Sequence, residues 1–136
     1  MTAVLRELVP TARTIFFEDA RQTLSWLAEH LGETDLISLD HDLPIRRDGE
    51  NRVIDCGTGR QVADYLATLP PTCPVIVHSS NVPCGDGMAA VLRAAGWPCR
   101  RVYPRDDLAW IDDQWAEAVR DYIRAGWIPA QDSPAV

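Results

Sequence analysis

Apolar residues fall into short β-type runs separated by stretches with helical spacing. Thr14-Ile15-Phe16-Phe17, Leu36 to Leu39, Pro74-Val75-Ile76-Val77 and Arg100 to Tyr103 predict a sheet of about four strands. Only Ser38 interrupts the second run, as expected of a strand buried on both faces. Between the runs the spacing predicts helices. Residues 2–9 form one, ended by Pro10, and residues 20–30 form the next, with Leu24, Leu27 and Leu31 on one face and Gly32 as its stop. Thr58 reads as the N-cap of a helix to Leu69 that turns Val62, Tyr65, Leu66 and Leu69 inward. His78 to Asp86 reads as a loop, followed by a helix from Met88 to Ala95. The last helix runs from Leu108 to Ala125, with Ile111, Trp115, Ala118, Val119 and Tyr122 as its buried stripe. Trp110, Trp115 and Trp127 are expected mostly in the core, with a partner interface as the alternative.

Strands alternating with helices imply an α/β fold, a three-layer sandwich whose mostly parallel sheet is covered on both faces. The length of 136 residues suits one domain, drawn over residues 1–128, with a flexible C-terminal tail over 129–136. The polar stretch from Pro44 to Gly57 is long for a compact domain and reads as a lid or a mobile loop.

Charge narrows the chemistry. All 13 basic residues are arginine, so a Walker lysine, a Schiff-base lysine and a lysine that senses a phosphoaspartate are all excluded. The net charge of −7 argues against nonspecific binding of DNA or other long nucleic acid, whose affinity comes mostly from neutralised phosphates. A small phosphorylated ligand held by a few arginines or by a metal remains compatible with it. Met1 to Val9 lacks the features of a secretory signal, and no apolar run approaches the ~18–20 residues that cross a membrane. A cytoplasmic protein with no membrane contact is the expectation. Cys56, Cys73, Cys84 and Cys99 are spaced 17, 11 and 15 apart with no CxxC pair, which suits reduced thiols rather than zinc.

Two polar clusters leave the ends of predicted strands. Ser38-Leu39-Asp40-His41-Asp42-Leu43 overlaps and follows one, and His78-Ser79-Ser80-Asn81 follows another. Ligands of open α/β sheets bind beyond the carboxyl ends of the strands, so an acid, a base and anion-binding donors can meet there without a cofactor.

These residues carry a resemblance. The order of elements, with acids after one strand, a small hydroxyl residue after the next and a last strand closed by Pro104, is similar to a response-regulator receiver domain. Ser38 to Leu43, Gly57-Thr58-Gly59 and His78 to Asn81 resemble, in order, the three marks of the divergent receiver branch called the cyclic-phosphate-processing receiver domain (cREC). The likeness extends more weakly from Phe16 to Trp115. Two departures stand out. Glu18-Asp19 stand too near Asp40 for a strand and a helix to intervene, so they do not match a receiver's acidic pair. Thr14 to Phe17 then takes the second-strand position, and the first receiver strand is either missing or reduced to a degenerate Val4-Leu5 with Glu7. Tyr103 stands where a receiver carries its lysine, which speaks against ordinary phosphorelay.

The resemblance implies hydrolysis of a cyclic phosphate on a nucleotide or an RNA end. His41 and His78 suit general acid and base, since imidazole titrates near neutrality. Asp40 and Asp42 would orient an imidazole or hold a divalent metal, Mg²⁺ or Mn²⁺. Ser79, Ser80, Asn81 and the amides of Thr58 and Gly59 would bind phosphoryl oxygens, the latter at a helix N-terminus, with Arg60 adding charge. Each residue also has a plain structural reading: Asx turns at Asp40 or Asp42, a turn and cap at Ser79 to Asn81, a helix start at Thr58. The functional reading rests on their meeting at one sheet edge. The competing classes are a noncatalytic interaction module that binds a partner or a second copy as a homodimer, and a protein that sequesters a cyclic nucleotide without cleaving it.

Overall fold

The structure, a computed structural model, describes residues 1–43, 46–54 and 57–129, except the side chains of Arg46 and Ile54. In chain order the elements are α1 (Thr2–Leu8), α2 (Ala20–His30), β1 (Ile37–Leu39), β2 (Arg46–Arg47), β3 (Val53–Ile54), α3 (Gly59–Ala67), β4 (Val75–His78), α4 (Val82–Ala94), β5 (Cys99–Val102) and α5 (Ala116–Arg124). The main sheet is parallel, in the order β1-β4-β5, with Ser38 opposite Ile76 and Ile76 opposite Arg100. Strands β2 and β3 pair separately as an antiparallel hairpin within the predicted polar loop. The neighbouring Pro44, Ile45, Asp55 and Cys56, and the tail from residue 130, lie outside the described residues.

Side-chain alternation along β4 builds both halves of the core. Val75 and Val77 pack with Leu27 of α2, Leu66 of α3 and Leu92 of α4. Ile76 faces the other way, toward Val4 of α1 and Val119 of α5. The result is the expected three-layer α/β sandwich. On the larger face the Trp97 indole donates to the Leu66 carbonyl at 2.9 Å, which satisfies a side chain that is almost wholly buried.

Several expectations need correction. The sheet has three strands rather than about four, because Thr14–Phe17 forms none. β-propensity makes a strand only where a partner lies alongside, and here a groove of about 600 Å³ separates this segment from β1. Phe16 stays 67 % exposed, and Ser38 faces out between buried Ile37 and Leu39. Helix α4 begins at Val82 rather than Met88. Asn81 caps it by accepting from the Cys84 N–H, and Pro83 sits in the first turn, where its missing N–H costs nothing. The last strand ends at Val102 and not at Tyr103.

The final helix opens as a π turn, Ile111–Trp115, before α5. A regular α-helix would turn residues five apart about 140° from each other, whereas the wider turn lets both Trp110 and Trp115 face the core. Trp127, expected inside, is 41 % exposed. No described helix is long and apolar enough to cross a membrane.

Candidate functional site

The site begins where β1 and β4 end. Asp40 leaves β1 and accepts hydrogen bonds from the backbone N–H groups of His41 and Asp42 and from the Ser79 hydroxyl. Burial nevertheless raises its carboxyl above the usual aspartate range, and the neighbouring Asp42 charge adds to the rise. Ser79 is almost fully buried, and its oxygen also accepts the Asn81 N–H at 3.2 Å. Asp40, Ser79 and Asn81 are thus one chain of hydrogen bonds across the ends of the two strands. Ser80 points to solvent.

The two histidines have different surroundings. His41 places Nδ1 2.8 Å from Asp42 Oδ1, with the ring largely covered and the carboxylate exposed. A neutral ring donating Nδ1–H there keeps a lone pair on Nε2. His78 closes β4, and the alternation that turns Ile76 toward α5 turns it the same way. It stacks on Trp110 with ring centroids 5.6 Å apart. Burial, reinforced by the Arg101 cation, pushes its pKa down to about 4, so the resting ring is neutral at pH 7. His78 and Asp40 both line the groove beside β1.

The Gly57-Thr58-Gly59 segment is shaped by close packing. Gly57 has φ +73°, a conformation that favours glycine. A Cβ on Gly59 would collide with the Asp40 carbonyl oxygen, so this helix start lies directly against the candidate acid. The Gly59 N–H donates to the His41 carbonyl at 3.0 Å, and the Thr58 N–H to the Gln61 side chain at 3.1 Å. Both amides are therefore engaged within the fold, fixing the loop that carries His41. Arg60 pairs with Asp64 one turn on, at 2.8 Å, and remains partly exposed beside Gly87 of α4.

Sequence reasoning missed Arg101 and Asp86. The Arg101 guanidinium, its side chain only 5 % exposed, donates to the Ser79 carbonyl at 2.7 Å and to Asp86 at 3.0 Å. Tyr103 places its ring 4.2 Å beneath that cation and donates its hydroxyl to the same Asp86 oxygen at 2.9 Å. The available signal was strand alternation: Arg101 and Tyr103 are two apart, so both belong on the side opposite Arg100, which pairs with Asp121 of α5.

Among the described residues no three His, Cys, Asp or Glu side chains converge as a metal-binding group. Asp40 and Asp42 flank His41, and no cation is among the groups that set the Asp40 titration. That donor set fits a hard ion completed by water and substrate oxygens, as magnesium sites often are.

Fold and site together define a receiver-like α/β domain. The family model described as the cyclic-phosphate processing receiver domain matches residues 5–94, more than half of the chain, and the protein belongs to that family. Neither a curated protein nor a solved structure matches it.

Proposed function

We propose that this receiver domain hydrolyses a cyclic phosphodiester carried on a nucleotide or an RNA end. The observation that carries the reading is the pairing of His41 with Asp42 immediately beside the Asp40–Ser79 contact, in a member of a family linked to cyclic-phosphate processing. The groove that reaches Asp40 and His78 has the volume of a small-ligand pocket, enough for the body of a nucleotide.

In this reading Asp42 holds the His41 ring in the tautomer with Nε2 free. The attacking water gives its proton to that nitrogen as its oxygen bonds to phosphorus. The ring P–O bond breaks, and the departing oxygen takes a proton delivered by His78. That ring rests neutral, and the negative charge of a bound phosphodiester raises its proton affinity and loads it. Asn81 and Arg60 offer donors to the phosphoryl oxygens, with Ser79 holding Asp40 and the Thr58–Gly59 turn setting the loop behind them. A magnesium or manganese ion, held by Asp40 with Asp42, would neutralise charge on those oxygens.

The test is incubation with 2′,3′- and 3′,5′-cyclic nucleotides and with short RNAs bearing cyclic-phosphate ends, each with Mg²⁺, with Mn²⁺ and with EDTA. Products are read by mass, and binding by thermal shift. A product heavier by one water supports the hydrolase. Saturable binding without product would make the protein a sequestering one, and no response in any condition would contradict the reading.

A further inference from the structure

Arg101 is a cation with nowhere to go. It sits on β5, yet every nitrogen of its guanidinium is spent inside the protein. Nε donates to Asp86 at 3.0 Å, Nη1 to the carbonyls of Val102 at 2.6 Å and Val77 at 3.4 Å, and Nη2 to the carbonyl of Ser79 at 2.7 Å. The first turn of α4 is cut to fit it, since a Cβ on Gly85 would collide with Nη2. With four of its five N–H groups bonded within the protein and its side chain only 5 % exposed, this guanidinium is a structural clamp rather than a phosphate anchor. Its planar fork instead joins the ends of β4 and β5, a geometry that an ammonium cannot reproduce.

The residue it grips is the one the site depends on. Ser79 turns its carbonyl to Arg101 and its hydroxyl to Asp40, while its oxygen accepts the Asn81 N–H. Holding the carbonyl fixes the peptide and with it the hydroxyl. Asn81 in turn caps α4 through the Cys84 N–H, so the fork sets the whole turn from the end of β4 into that helix.

We propose that Arg101 is the positioning residue of this site. Its fork fixes Ser79 and thereby sets the Asp40 carboxyl and the Asn81 turn at the end of the strands. The catalytic part of this inference rests on the cyclic-phosphate reading above, whereas the placement of Ser79 does not.

Three variants test it in the full chain: Arg101→Gln, Arg101→Lys and Arg100→Gln, the last breaking the Asp121 ion pair on the opposite face of the same strand. Amide hydrogen exchange at Asn81 and Cys84 is measured by NMR, and kcat and KM with the best substrate of the panel. Arg101→Gln is expected to speed exchange at both amides and to lower kcat by about 100-fold with little change in KM, the scale of loss that misplacement brings. Arg101→Lys should restore charge without restoring kcat. Arg100→Gln should leave both amides and kcat as they are. Wild-type exchange and kcat in Arg101→Gln would overturn the proposal, as would equal losses in Arg100→Gln or full rescue by Arg101→Lys. Should Arg101→Gln fail to fold, Asp86→Ala removes the exposed acceptor that Nε shares with the Tyr103 hydroxyl, and unchanged Asn81 exchange there would count against the proposal. A wild-type protein that turns over nothing would refute the cyclic-phosphate reading, and the exchange rates would still decide whether Arg101 places Ser79.

Discussion

The Trp115 indole N–H donates to the Ser38 hydroxyl at 3.1 Å, joining the π turn ahead of α5 to the residue two before Asp40. Trp115 is almost wholly buried, and this serine, exposed between Ile37 and Leu39 on the groove, satisfies its indole N–H. Ser38→Ala leaves the indole N–H unpaired and is expected to destabilise the fold by about 1–2 kcal/mol. Urea denaturation checks it, and an unchanged midpoint would contradict it.

The lowered pKa of His78 makes stability depend on acid. The folded protein keeps the ring neutral down to about pH 4, whereas the unfolded chain protonates it near its ordinary value of 6.5. Between those limits the unfolded state binds more protons, so stability rises with pH across the window and is lost as pH falls through it. The loss is on the order of 2–3 kcal/mol at the acid end. His78→Phe preserves an aromatic partner for Trp110 and should flatten the pH dependence of denaturation between pH 4 and 6.5. A slope equal to wild type would contradict this account of the ring.

Asp40 has the opposite sign. Its carboxyl is raised because burial penalises the charge more than its hydrogen bonds relieve it. The folded state therefore favours the protonated form, a contribution present in acid that fades as pH rises above the ordinary range. Asp40→Asn removes the buried charge and keeps an acceptor for Ser79. It should raise the melting temperature at pH 7 while lowering turnover by about 100-fold or more. A drop in melting temperature would show that the carboxylate is compensated by something other than the groups described.

Gly59 tests how tightly the helix start is held against the acid. A side chain there meets the Asp40 carbonyl, a backbone atom that cannot swing aside. Gly59→Ala is expected to cost about 1–3 kcal/mol and to disturb the Asp40 and His41 amides in an NMR spectrum. Wild-type stability would mean that the loop has room the structure does not show.

Much of this architecture was legible in the chain. The apolar runs at Leu36–Leu39 and Pro74–Val77 read as buried strands because two-sided burial leaves no polar positions to obscure them. Thr14–Phe17 read equally well, yet no strand lies alongside it, and pairing is invisible to local propensity. The start of α4 was hidden by Gly85 and Gly87, which suggest a loop. Gly85 is there because Arg101 occupies the space of its side chain, a contact between residues far apart in sequence. The polar clusters at Asp40 and Ser79 could be assigned to one sheet edge from the α/β pattern alone. The different surroundings of His41 and His78 could not, because they depend on the Asp42 carboxylate turning to one ring and on the Trp110 indole stacking on the other.

The central claim is that the His41–Asp42 pair performs proton transfer at a cyclic phosphate. Turnover of the best cyclic substrate by wild type and by His41→Ala, with matching folds confirmed by circular dichroism, tests it most directly. The account predicts a loss of about 100-fold or more in kcat for the variant. Equal rates in the two proteins would contradict it.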